Sequence, residues 1–567
     1  MSDHETIRAA VTEVLSAMGV EDAAIQLERP RDPTHGDVAS NVALTLAKTL
    51  GRAPRQIAEE IAEKLDRAAA GVDSVDVAGP GFLNFRLASG AVGSALAQIV
   101  ESDEAWGQSN EGDGRPIMVE FVSANPTGPL HIGHARQAAL GDAIASLLAW
   151  TGWAVHREYY YNDSGRQIEL LALSVRARYR QALGIEESIP DDGYRGQYII
   201  DLAEELKSAE GDRFAKDESE EDLLEIQRFA VRRIREEQDA DLTTFRVHFD
   251  EYFLESSLYT DGHVDGTIEA LRTEDMVYEK DGATWIKSSL FGDQKDRVMV
   301  RSNGLPTYFV PDVAYHRNKW GRGFERVINV QGSDHHGTVD RVRAGLQALG
   351  LPAGYPEYVL HQMARVVKDG EEVKMSKRTG SGMTLRELCD QVGVEVTRYF
   401  FQMRKPDAQM LFDLDVALDQ SDKNPMYKVQ YAHARMCSIF RKAGVDRTSI
   451  GGGGGSFDAL SHEMERELIQ QLADFPGVVE RASEHRAPHM VCDYLEQTAG
   501  QANSWYHAGN PSRNPELAVL SDDPETREAR LALARGVQIV LRNGLRVLGI
   551  EAPEQMLRDD SNEESDG

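Results

Sequence analysis

The stretch Val119-Glu-Phe-Val-Ser-Ala-Asn-Pro-Thr-Gly-Pro-Leu-His-Ile-Gly-His134 decides how this chain is read. Residues Ile117–Val122 are strand-like, a Pro/Gly turn follows, and a helix is predicted from about Gly133 to Trp150, ended by Gly152. Ala154–Tyr161 is the next strand candidate. Strand, helix, strand is the unit of a parallel α/β sheet. His131 and His134 stand three apart where the helix begins. The first turn of a helix offers free N–H groups and the positive end of its dipole, which is a natural anion site. Both histidines are therefore expected to face one phosphate group, with Gly133 letting the backbone approach closely. The plain alternative is a pair of surface or metal-binding histidines, although zinc would need a third ligand. The Pro-Thr-Gly-Pro turn after a strand favours a nucleotide.

Farther along, Val373-Lys-Met-Ser-Lys-Arg-Thr-Gly-Ser-Gly382 brings two lysines and a serine onto a glycine-rich loop. An ammonium about 4 Å from a phosphate oxygen contributes about 4 kcal/mol at an effective dielectric near 20. A solvated basic loop is the bland reading. The chain holds only 15 lysines against 47 arginines, so a lysine-rich loop stands out in it.

The surrounding chain has 567 residues, enough for roughly three or four domains. Residues 1–110 read as a small α/β module: a helix carries Ile7, Val11, Val14 and Leu15, a second begins at Asn41 and ends at Gly51, and two strands flank Gly79-Pro-Gly81. Glu101–Arg115 reads as a polar linker. Residues 111–423 form the α/β unit, with a charged insertion at about 180–290 and strands expected at Val298–Val300 and Arg326–Val330. Residues 424–557 are helical, with apolar faces at Tyr427–Ala443 and Leu531–Leu548, and 558–567 are an acidic tail. A five-glycine loop spans Gly451–Gly455.

A formal charge of −31 argues against a simple nucleic-acid binder, whose usual footprint is basic. Acid spread along the chain, with arginine over lysine, points to a protein working in molar salt, where the Debye length is about 3 Å. An ordinary acidic cytosolic protein is the alternative. Three cysteines without a CxxC pair exclude a disulfide framework or a cysteine-rich zinc module and fit a reducing, cytoplasmic setting. The start of the chain has no secretory pattern, and no run of about 18 apolar residues predicts a membrane span.

Taken together, His131-Ile-Gly-His134 and Lys374-Met-Ser-Lys377 resemble the two signatures of the class I aminoacyl-tRNA synthetases, and within them the arginyl-tRNA synthetases. The resemblance extends through His35-Gly-Asp-Val-Ala-Ser-Asn41, Tyr159-Tyr-Tyr-Asn-Asp163, Gly332-Ser-Asp-His-His336, Val429-Gln-Tyr-Ala-His-Ala-Arg435 and Leu548–Met556. It implies a Rossmann-like parallel-sheet catalytic domain, a small N-terminal α/β domain on the tRNA elbow and an all-α anticodon-binding domain. Residues beyond Met556 depart from the family pattern.

The implied reaction joins arginine and ATP into arginyl-adenylate with release of pyrophosphate, then transfers arginine to tRNA(Arg); activation is expected to require tRNA. The resemblance places His131, His134, Lys374 and Lys377 in catalysis. It places Asn125, Pro126, Thr127, Gly128, Gly133, Gly332, Asp334 and Ser376 on ATP. Glu120, Asn125, Tyr308, Asp312 and His335 fall to arginine, with Glu120 and Asn125 toward its α-amino and carboxylate end and Tyr308 and Asp312 toward its guanidinium. For Asp312 a helix N-cap is the simpler role. Tyr431, Arg435, Trp505 and Tyr506 are candidates for stacking on unpaired tRNA bases, with helix packing as the alternative for the aromatics. Mg²⁺ is expected with ATP and no protein-bound metal. The partners are tRNA(Arg), arginine and ATP, without DNA or a membrane, and a monomer is expected. Two competing functions are another nucleotidyl transferase using His-x-Gly-His and a non-catalytic RNA-binding relative.

Overall fold

The computed structural model describes residues 3–21, 23–28, 30, 35–163, 165–216, 219–373, 382–451, 457–510 and 514–556. The N-terminal module is a four-stranded antiparallel sheet in the order Leu27–Glu28, Val38–Ser40, Phe82–Leu87, Val72–Ala78. Helices Asp3–Ala17, Val42–Leu50 and Pro54–Lys64 share its apolar core through Ile7, Val11, Val42, Ile57 and Ile61. Gly51 closes the Val42–Leu50 helix in the left-handed conformation (φ 62°), which glycine adopts without a side-chain clash.

Helix α1 (Ser89–Ser102) leaves this module and packs on the C-terminal helices. The stretch read as a linker is anchored where it begins. Arg535 and Arg542 bond the two carboxylate oxygens of Asp103 at 2.7 and 2.6 Å, and Trp106 Nε1 donates to the Leu472 carbonyl at 3.2 Å. Its composition is that of a loop, but its partners lie far away in sequence.

The central element is a five-stranded parallel sheet. Its strands are β1 (Pro116–Glu120), β2 (Ala154–Tyr161), β3 (Glu251–Leu254), β4 (Val327–Gly332) and β5 (Glu357–His361), in the order β5-β4-β1-β2-β3. Ile117, Met118 and Val119 are all fully buried, because a central parallel strand is covered on both faces. Ile117 and Val119 join the core of helix α2 (Ile132–Trp150), while Met118 packs with Val313 and Leu346 on the other side. Connections leave β1 and β4 toward opposite edges. The crevice beyond the carboxyl ends of these neighbours is therefore the ligand-binding switch point of such a sheet.

Helices α3 (Arg166–Ala182), α4 (Gln197–Glu210) and α5 (Glu220–Thr244) interrupt the sheet between β2 and β3 and own a separate core of Leu171, Val175, Ile199, Leu206, Ile226 and Ile234. The insertion expected at 180–290 is thus two pieces. The helices begin at Arg166, and the chain returns to the main sheet as its edge strand β3 before a small antiparallel sheet of Val277–Lys280, Ala283–Ile286 and Arg297–Val300. Val298–Val300 belongs to that small sheet and not to the parallel one. A four-residue strand does not encode its own partner.

Helices α6 (Phe309–Gly321) and α7 (His336–Gln347) flank β4, and α8 (Leu385–Val392) and α9 (Val394–Gln402) follow the second signature. The C-terminal region is a helical domain of α10 (Pro425–Ala443), α11 (Glu463–Ala473), α12 (Phe475–Glu484), α13 (His489–Ala508) and α14 (Pro524–Val547). The acidic tail beyond Met556 and glycines 452–455 lie outside the described residues. No helix among the described residues is long and apolar enough to cross a membrane.

Arg398 ties these parts together. It is fully buried on α9, bonds Asp142 of α2 at 2.5 Å and donates to the carbonyls of Phe245 at 2.7 Å and Leu548 at 3.2 Å. Removing one partner of a buried ion pair strands the other charge. Arg398→Met is expected to destabilise the chain by about 3–5 kcal/mol, read as a lowered thermal midpoint, whereas exchanging the exposed Arg55 of the Arg55–Glu59 pair should change it little.

Candidate active site

At the switch point lies a cavity of about 560 Å³. Glu120 and Asn125 reach it from the end of β1, His131 and His134 from the start of α2, Gly332, Asp334 and His335 from the end of β4, and Tyr308, Asp312, Tyr315 and His316 from α6. These sequence-distant candidates thus share one crevice, whereas Pro126, Thr127 and Gly128 do not line it.

The chain turns sharply out of β1. Val122 and Ser123 have φ of +67° and +40°, a region that a β-branched residue enters only at a cost of about 1–3 kcal/mol. Ser123 Oγ offsets this by bonding Glu120 Oε1 at 3.0 Å and accepting the Tyr160 N–H at 3.2 Å. This turn carries the chain from β1 toward the start of α2.

His131 is the N-cap of α2. Its Nδ1 accepts the Gly133 N–H at 3.0 Å, and His134 Nδ1 accepts the His131 N–H at 3.4 Å. The two rings stack with centroids 3.7 Å apart. A Cβ on residue 133 would stand 2.8 Å from the His131 ring, so this packing requires glycine. Burial pushes the His131 imidazole below its usual range, and burial with the charges of His131 and His361 pushes His134 well below it. Both rings are therefore neutral at physiological pH. With Nδ1 accepting, Nε2 carries the hydrogen, so both histidines present N–H donors suited to phosphate oxygens.

The described chain after the second signature returns to this point. Lys374, Ser376 and Lys377 lie outside the described residues, but the flanking backbone is described. Ile132 N–H donates to the Met383 carbonyl at 3.1 Å and Leu385 N–H to the Leu130 carbonyl at 2.8 Å. The loop's carboxyl-terminal root is thus pinned to the histidine turn.

The other end of the crevice is acidic. Glu120 is paired at 2.5 Å with the fully buried Lys319, whose ammonium also sits 4.1 Å from the centre of the Tyr315 ring. Asp312 has no hydrogen-bond or ion-pair partner among the described residues. It is the fourth residue of α6, so the N-cap role does not apply; Tyr308 holds that position without a side-chain bond. Burial, with the charges of Glu255 and Glu120, pushes the Asp312 carboxyl up to about 7. Glu255 accepts from the Tyr160 hydroxyl at 2.9 Å, and burial raises its carboxyl also. Tyr308 is 77% exposed at the mouth. Asp334 and His335 are exposed at the rim, 3.7 Å apart.

Glu255, Lys319 and Tyr315 were not anticipated. Asp312, Tyr315 and Lys319 recur at helical spacing on one face, a signal that sequence could have given; Glu255 follows a short strand without one. Farther down β2, the one metal-like cluster among the described residues, His156, Glu158 and Glu251, already holds a guanidinium: Arg322 bonds both carboxylates at 2.6 Å. Burial opposes the charge on Glu158, but bonds from His156, Arg322 and Tyr315 and the charge of Lys319 outweigh it and draw its carboxyl down to about 2.

In the helical domain Tyr431, Arg435 and Tyr506 come together. The Arg435 guanidinium lies 4.7 Å from the centre of the Tyr431 ring and 4.9 Å from that of Tyr506. Trp505 does not join them. It is 3% exposed in the helical core, because neighbouring residues of a helix point about 100° apart and Tyr506 takes the outer face. It is corrected to a packing residue.

Comparison with known proteins bears on all three regions. The family model for the arginyl tRNA synthetase N terminal domain matches residues 5–87, that for the class I (R) tRNA synthetase catalytic domain 95–407, and the DALR anticodon binding domain 429–556. The arginine–tRNA ligase of Bordetella petrii is 48% identical over 97% of this chain and 98% of its own. That of Geotalea daltonii is 49% identical over 94% and 96%. The solved arginyl-tRNA synthetase of Thermus thermophilus superimposes with a TM-score of 0.75 at 26% identity, covering 97% of this chain and all of that one.

The uncompensated Asp312 carboxylate gives a stability test without ligand. Its folded pKa lies above the unfolded value, so its penalty grows as pH rises between these values and is full above about 7. Asp312→Asn is expected to raise the thermal midpoint by a few degrees at about pH 8 and by less at about pH 5.

Proposed function

From the arginyl-tRNA synthetase family, to which this chain belongs, we infer how its side chains divide the charging of tRNA(Arg) with arginine. The observation that carries the assignment is the asymmetry of the crevice. Glu120 has its charge balanced by Lys319, whereas Asp312 and Glu255 offer carboxylates with no ion-pair partner among the described residues. A guanidinium is a planar fork of donors and suits two such carboxylates. Arginine therefore lies with its guanidinium toward Asp312, Glu255 and Tyr308 and its α-amino and carboxylate end toward Glu120 and Asn125.

ATP lies along Asn125–Gly128, the two histidines, Gly332 and Asp334, and enters as its Mg²⁺ complex. The arginine carboxylate attacks the α-phosphate and pyrophosphate leaves; the tRNA terminal hydroxyl then takes the arginyl group from the adenylate. His131 and His134 donate Nε2–H bonds to phosphate oxygens, and Lys374 and Lys377 stabilise the charge on the leaving pyrophosphate. Such chemistry depends on positioning and charge stabilisation. A substrate without the guanidinium leaves buried carboxylates unpaired, which selects arginine. We assign anticodon contacts to Tyr431, Arg435 and Tyr506 in residues 424–557, the tRNA elbow to residues 1–110, and propose a cytoplasmic monomer whose activation step requires tRNA. The acidic excess supports a protein adapted to high salt.

A charging panel over the amino acids with homologous tRNA, at graded KCl, tests the specificity; charging of another amino acid would sink it, and loss of activity at molar KCl would sink the salt reading. Lys377→Ala should lower kcat about 10²–10³-fold, and Asp312→Ala should chiefly raise the KM for arginine. As pH falls through about 7, protonation of Asp312 removes its charge, so the KM for arginine should rise in the native chain and stay flatter in Asp312→Asn.

A further inference from the structure

We propose that the inserted helix α5 braces the nucleotide turn and that Gln238 is the positioning residue through which it does so. The proposal rests on the reading of residues 124–134 as the ATP site. An anion on that turn is drawn by N–H groups and repelled by carbonyl lone pairs, so the carbonyls must be held away from it.

Four of them are held by side chains. The Tyr159 hydroxyl bonds the Ala124 carbonyl at 3.1 Å, and the Tyr198 hydroxyl donates to the Thr127 carbonyl at 2.9 Å. Gln238 Nε2 donates to both Asn125 at 3.2 Å and Gly128 at 2.8 Å. Gln238 is 1% exposed. A primary amide has two N–H donors, and both are used on the turn; a carboxylate of the same shape has none. A Cβ on Gly128 would stand 3.3 Å from the Tyr198 ring, so glycine makes room for the brace.

The same helix holds the described chain that follows the second signature. Asp241, three residues on, binds Arg386 at 2.5 Å at the start of α8, two residues beyond Thr384, which bridges to His131. One face of α5 therefore fixes the turn and the root of the lysine loop relative to each other. Transition-state geometry is sensitive to displacements of about 1 Å, which can cost about 10²-fold in rate.

The test uses the full chain with tRNA present, following ATP–pyrophosphate exchange while ATP and arginine are varied separately. Gln238→Met keeps shape and removes both donors. It should raise the KM for ATP about tenfold, leave the KM for arginine within about twofold and leave the thermal midpoint nearly unchanged. Gln238→Glu should show the same defect at alkaline pH and recover in part as pH falls, because the protonated acid regains one donor. Native kinetics in Gln238→Met, or parallel rises in both KM values with a fallen midpoint, would overturn the brace. Should Gln238→Met fail to fold, Tyr198→Phe carries the test by removing one hydroxyl, with a smaller rise in the KM for ATP expected. His134→Ala separates the two readings: an unchanged KM for ATP there removes the nucleotide site itself, whereas a raised one beside normal Gln238→Met kinetics removes only the brace.

Discussion

A helix that is buried along its length yet opens into a crevice must satisfy its first N–H groups without blocking the crevice. The start of α2 does so with His131 and His134, each spending Nδ1 on backbone. Serine or aspartate would cap the helix equally well. They would not leave an N–H donor pointing outward, and an aspartate would repel phosphate. The capping arrangement is thus also one suited to phosphate oxygens, and burial keeps both rings neutral so that each holds a single defined tautomer. The strained exit from β1, Gly133 and the pinned Met383–Leu385 backbone serve that arrangement.

The rest of the catalytic unit is organised around where charge is balanced. Lys319 pairs with Glu120, Arg322 bridges Glu158 and the partly exposed Glu251, and Arg398 pairs with Asp142. Of the crevice carboxylates on β1 and α6, Asp312 has no ion-pair partner among the described residues. The abundance of arginine over lysine also acquires a structural component. Arg136, buried in α2, donates to the carbonyls of Gln362, Lys405, Pro406 and Ala408, and Arg398 serves one carboxylate and two carbonyls. A guanidinium has five donors fixed in a plane, and an ammonium lacks that geometry. Net charge therefore says little about where such a protein meets RNA.

The parallel unit, the position of α2 and the two signatures were legible because each is a local pattern: an apolar strand, a Pro/Gly turn, a helix start. The Val72–Ala78 and Phe82–Leu87 hairpin was legible for the same reason. What escaped were features whose partners lie far along the chain. Glu255 sits among ordinary polar residues, β3 is four residues long, and Asp103 and Trp106 look like linker until α11 and α14 are placed beside them. Trp505 and Tyr506 were indistinguishable as a pair, since composition does not say which face of α13 points outward.

The sequence by itself determined the fold class and the family, because period, turn residues and signature spacing are written in consecutive positions. Tertiary structure decided which carboxylates lack a counterion, which tautomer each histidine holds and which aromatic faces solvent. Those properties arise from burial and from contacts such as Glu120 with Lys319, 199 residues apart, and local spacing does not encode them.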